Sequence, residues 1–66
     1  MTQKEFDELP GLLTRKQFMA VTGLQSRQVD ELRKSREIGV WRPFKRGAYG
    51  KYYKADAGRM AGYQLR

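Results

Sequence analysis

The feature that most constrains this chain is the stretch from Leu13 to Gly23, "LTRKQFMAVTG". Thr14 is followed three residues later by Gln17. This is capping-box spacing: the threonine hydroxyl accepts from the Gln17 amide and the glutamine side chain reaches back to the Thr14 amide. Leu13 precedes the cap and Phe18 stands at the fourth helical position, the spacing of a hydrophobic staple. A first helix is therefore predicted over about Arg15 to Thr22, burying Phe18, Val21 and Met19. Gly23 closes it, because glycine readily adopts the left-handed conformation that ends many helices. Leu24 is apolar inside the turn, and Ser26 or Gln25 then caps a second helix running to about Ser35. That helix turns Val29, Leu32 and the alkyl stem of Arg33 inward at i, i+3, i+4 spacing. Two helices joined by so short a turn, with a glycine and one buried apolar residue in it, have the sequence form of a helix-turn-helix.

The remainder changes texture. "IGVWRPFK" and "KYYK" are aromatic and β-branched runs separated by "RGAYG", which reads as a β-hairpin with a loop of about four or five residues. Pro43 cannot donate to a strand ladder, so the first strand lies at an edge or is interrupted there. Asp56 or Ala55 opens a short C-terminal helix over about Ala57 to Tyr63, with Met60 and Tyr63 inward and Gly58 and Gly62 weakening it. Residues 1–11 form an acidic leader ending at Pro10-Gly11, and 12–66 form the folded domain. The fold class expected is α+β: helix, turn, helix, hairpin, helix.

At 66 residues the chain has room for one small core. It contains neither cysteine nor histidine. Disulfides, thiolate chemistry and the usual metal ligands are thus excluded, together with the common near-neutral acid–base group. No pair of Asp, Glu, Ser, Tyr or Lys stands at catalytic motif spacing, so neither an enzyme nor a cofactor or small-molecule site is expected. No apolar run approaches the ~20 residues needed to cross a bilayer, and the N-terminus lacks a signal-peptide pattern. A cytoplasmic protein without a membrane partner follows as the expectation.

Charge narrows the choice further. Fourteen Lys and Arg against seven Asp and Glu leave +7, a balance that points to a polyanionic partner. The excess is local. Between Arg27 and Lys54 nine basic residues face only Asp30, Glu31 and Glu37, whereas residues 1–9 carry Lys4 against Glu5, Asp7 and Glu8.

On the second helix, Arg27, Gln28, Glu31 and Lys34 share the outward face. Arg27 suits a guanine edge, Gln28 an adenine edge, and Glu31 a cytosine amino group. The plain alternative is a solvated face with an Arg27–Glu31 pair contributing a few tenths of a kcal/mol. Lys45, Arg46 and Lys51 flank the glycine loop of the hairpin, where cations reach a phosphate backbone or minor groove; the alternative is a solubilising turn. Trp41, Phe44, Tyr52 and Tyr53 offer stacking surfaces for single-stranded bases, but a core short of aliphatic residues would absorb Trp41 and one tyrosine. Strand alternation sends Tyr52 and Tyr53 to opposite faces.

The segment "LLTRKQFMAVTGLQSRQVDELRKS" resembles the opening of small winged-helix proteins of the excisionase and AlpA type, relatives of MerR-like DNA-binding domains. Leu13-Thr14, Gln17, Gly23-Leu24, Val29, Leu32, Tyr53 and Asp56 carry the resemblance, which spans about Leu12 to Met60. It implies a winged helix-turn-helix whose second helix enters the major groove of double-stranded DNA and whose hairpin is the wing. Carried onto this chain, Arg27, Gln28, Glu31 and Lys34 meet base edges and nearby phosphates. Lys45, Arg46 and Lys51 form the wing, and Thr14, Arg15 and Lys16 at the N-terminus of the first helix hold a phosphate. A chain this short leaves no room for a sensing or dimerisation domain, which favours the stand-alone members. The resemblance then implies an excisionase that bends attachment-site DNA, with a tyrosine integrase and neighbouring copies of itself as partners. A transcriptional regulator of the same fold is the nearest alternative; an RNA-binding or protein-interaction adaptor is more distant.

Overall fold

The computed structural model describes residues 1–43 and 50–65. Four helices and a three-stranded antiparallel sheet form a small α+β domain: α1 Gln3–Asp7, β1 Leu12–Leu13, α2 Arg15–Thr22, α3 Ser26–Lys34, β2 Val40–Trp41, β3 Lys51–Tyr53 and α4 Lys54–Ala61. The sheet order is β1-β3-β2. Leu12 pairs with Tyr53 and Leu13 with Tyr52 on one side; Val40 pairs with Tyr52 and Trp41 with Lys51 on the other.

The α2 boundaries follow the capping chemistry. Thr14 Oγ1 accepts from the Gln17 amide at 3.1 Å, and the Thr14 amide donates to Gln17 Oε1 at 2.9 Å. Gly23 ends the helix at φ 72°, its amide donating to Met19 O. Gln25 is the N-cap of α3, and its amide donates to Gln28 Oε1 at 2.9 Å. At the other end, the Arg36 amide bonds to Arg33 O and the Glu37 amide to Leu32 O. These two bonds are the Schellman arrangement, with Arg36 at φ 61° in the place glycine usually takes.

The core is Phe6, Leu13, Phe18, Val21, Val29, Ile38, Tyr52 and Ala57. Each large apolar side chain enclosed in this way contributes roughly 1.5–3 kcal/mol. Tyr52 tilts against Phe18 at 5.1 Å between ring centroids, and α2 packs chiefly against α4. The expected split of the two tyrosines appears, with Tyr52 buried and Tyr53 exposed.

Four expectations need correction. Residues 3–7 of the leader are helical, and Phe6 is enclosed by the fold. It stacks on Tyr63 at 4.9 Å, and Lys54 Nζ lies over its ring while donating to Asp7 O and Leu9 O. The two-stranded hairpin gains a third strand, because Leu12 and Leu13 align beside β3. Helix α4 begins at Lys54 directly from the strand, with Tyr53 as N-cap. Asp56 does not cap its own helix; its carboxylate accepts from the Gly39 amide at 2.9 Å and from Arg59 at 3.1 Å. Gly62 sits at the C-cap with φ 84°, and Gly58 makes room for Phe6, whose Cζ would lie 2.6 Å from any Cβ placed there. Finally, Trp41 and Met60 are 39% and 40% exposed rather than core.

Candidate nucleic-acid interface

Helix α3 is the element around which the charged residues gather. Val29 is buried and Leu32 packs against the core, which turns Arg27, Gln28, Glu31 and Lys34 to solvent, all four exposed. Arg27 Nε stands 3.5 Å from Glu31 Oε1, with side chains 88% and 66% exposed. At that exposure the pair is worth only a few tenths of a kcal/mol, so it orients Arg27 without holding it.

The flank of α3 that faces α2 is organised by one side chain. The Arg15 guanidinium donates to Ser26 O at 2.7 Å, to Ser26 Oγ at 2.6 Å, to Asp30 Oδ1 at 2.9 Å and to Tyr52 Oη at 2.8 Å. Partial burial works against the charge, but the hydrogen bond to Asp30 and the interactions with Tyr52 outweigh it, and the pKa of Arg15 is raised. One cation thus ties the first turn of α3 to α2 and to the middle of the sheet. Asp30, one of the two acids of α3 that would repel a phosphate, is turned into this contact, with Arg33 Nη2 3.8 Å from the same carboxylate oxygen.

The same geometry revises three sequence-derived roles. Arg15 is engaged within the fold, with each of its three guanidinium nitrogens donating to Ser26, Asp30 or Tyr52. Thr14 is engaged too: its hydroxyl and amide close the α2 capping box. Of that trio, Lys16 stays exposed. Gln28 divides its side chain: Oε1 accepts from the Gln25 amide, which leaves one lone pair of that oxygen and the side-chain NH2 for an adenine edge.

At the base of the hairpin, Lys51 is half-buried and lines a shallow concavity with Thr14, Arg15 and Gly50. The start of α2 and the start of β3 therefore meet at this concavity. Lys45 and Arg46 lie outside the described residues. Within the basic run from Arg27 to Lys54, two exposed cations went unassigned in the sequence reading. Arg42 follows β2 and approaches Gly50, and Arg36 follows α3. Only the charge count between Arg27 and Lys54 signalled them; their places depend on the register of β2 and the end of α3. Lys54, counted in the same basic run, is instead committed to α1.

A second concavity, lined by Leu24, Gln28, Glu31, Leu32, Ser35, Glu37 and Met60, runs along the other flank of α3. Among the described residues there is no group of three or more side chains suited to a metal ion, and no helix is long and apolar enough to cross a membrane. Comparison with family models, curated proteins and solved structures finds no match.

Proposed function

We propose that this chain is a winged helix-turn-helix that binds double-stranded DNA, with α3 in the major groove and the β2–β3 hairpin as the wing. The observation that carries the reading is the Arg15 clamp. It fixes the first turn of α3 against α2 and Tyr52 and neutralises Asp30, while Arg27 and Lys34 project outward. A helix that reads base edges has to be held at its N-terminal end with its charged residues outward. Net charge of +7 supplies the phosphate attraction. Arg27 takes a base edge, with Glu31 orienting it, and Lys16, Lys34, Arg36, Arg42 and Lys51 meet phosphates. The chemistry is recognition rather than catalysis.

Within that class the chain acts as an excisionase, bending attachment-site DNA so that a tyrosine integrase favours excision. The resemblance of residues 12–60 to excisionase and AlpA-type proteins supports this role. A bend would cost on the order of 1–6 kcal/mol, which the basic contacts offset. The test is selection from a randomised duplex pool, followed by the Arg27→Ala and Lys16→Ala variants. Arg27→Ala should relax the selected sequence at about 1–3 kcal/mol of lost discrimination, whereas Lys16→Ala should weaken all duplexes about equally. Uniform weakening by both variants would mean that α3 reads no bases. Circular-permutation bending assays on the selected duplex address the excisionase role, and an unbent complex would contradict it.

A further inference from the structure

The outer face of the sheet carries two aromatic side chains that the duplex reading does not use. Register sends Val40, Tyr52 and Leu13 inward, and so places Trp41, Lys51, Tyr53 and Leu12 together on the opposite face. Trp41 is 39% and Tyr53 37% exposed, an arrangement that does little for the core. Gly39 explains the position of the Tyr53 ring. Its Cε2 and Cδ2 atoms would lie 3.1 and 3.3 Å from a Cβ at residue 39, so the ring rests over the glycine backbone, directly across from its own strand. Trp41 is two residues further along β2, which separates the two aromatic positions by about 7 Å. That is roughly twice the 3.4 Å base rise of a stacked strand. Lys51 stands across from Trp41 in the ladder. The nearest carboxylate, Asp56, is already engaged by the Gly39 amide and Arg59.

We infer that this face is a binding site for single-stranded nucleic acid, in which two bases drawn out of their own stack lie on Trp41 and Tyr53 while Lys51, beside Trp41, meets a neighbouring phosphate. Aromatic rings spaced for unstacked bases, with a cation flanking one of them on a strongly basic chain, are the elements of a sequence-tolerant single-strand platform. The inference needs no residue of α3; Lys51 alone is shared with the duplex reading.

Trp41 is the only tryptophan in the chain, so its fluorescence reports the site directly. Titration of the intact protein with a short oligothymidylate should quench that emission saturably, whereas heparin should not. Tyr53→Ala should weaken the oligonucleotide roughly 5- to 150-fold, with Tyr53→Phe retaining near-full affinity because the ring remains. Lys51→Ala should lower the magnitude of the log–log salt slope by about 0.7. Absence of quenching overturns the inference. So does equal quenching by heparin, which would mark a charge effect, and so does unchanged affinity in Tyr53→Ala. Duplex binding without oligothymidylate quenching would leave the α3 reading standing and remove this one.

Discussion

Arg15→Met is the most informative change to the scaffold. Methionine keeps most of the stem but removes the donors to Ser26, Asp30 and Tyr52. Fully buried hydrogen bonds to a charged group would be worth about 1.5–3 kcal/mol each. Here the Arg15 and Asp30 side chains are 34% and 42% exposed, so solvent screening brings each partner closer to the 0.2–1 kcal/mol of a surface pair. Three partners then sum to about 2 kcal/mol, against a total stability of roughly 3–10 kcal/mol for a domain of this size. Thermal unfolding followed by circular dichroism should show the midpoint falling by roughly 8–16 °C. A double-mutant cycle with Asp30→Asn should return a coupling of several tenths to about 1 kcal/mol. A midpoint within about 3 °C of the parent, or zero coupling, would refute the claim that Arg15 fastens α3 to the fold.

Three further outcomes follow from particular contacts. Gly58→Ala should lower the urea midpoint by the equivalent of about 1–3 kcal/mol, although alanine ordinarily favours a helix, because its Cβ would meet Phe6 at 2.6 Å and Leu65 at 3.2 Å; a rise in the midpoint would contradict the α1–α4 contact. Arg36→Gly should raise stability by about 0.5–1 kcal/mol, since residue 36 sits at φ 61°, and urea titration would reveal any loss instead. Glu5 accepts from the Thr2 amide in the α1 capping box, and its pKa is lowered from the ordinary 4.5. Its contribution is therefore complete above that ordinary value and disappears as pH falls through the lower folded-state value. NMR titration should find the Glu5 pKa restored upward in Thr2→Pro, which removes the amide donor as well as the hydroxyl, and an unmoved value would count against the capping box.

What the sequence revealed and what it hid divide along physical lines. The limits of α2 and α3 were legible because their determinants are local: Thr14 with Gln17, Gly23 after the last turn, and Val29 and Leu32 at helical spacing. Helix α1 was missed although Thr2 and Glu5 stand at capping-box spacing, because a single apolar residue, Phe6, among acids carries no periodicity and its partners Gly58 and Tyr63 are more than fifty positions away. A strand as short as Leu12–Leu13 has no pattern, and those residues were already accounted for as a helix staple. Trp41 looked like core because large aromatics usually are, yet the ladder opposite Lys51 sets it on the outer face. Of the site residues, the outward set on α3 was readable from periodicity. The internal engagement of Arg15 and Gln28 was not, since an acceptor such as Tyr52 Oη comes near only in the folded chain.

The account rests most heavily on α3 and the hairpin base acting as a duplex-binding surface. Fluorescence anisotropy of a labelled duplex, titrated across a series of salt concentrations, tests that directly. Five to seven phosphate contacts predict log K falling linearly against log salt with a slope of roughly −5 to −6. A duplex that fails to bind at low salt, or an affinity that does not change with salt, would contradict it.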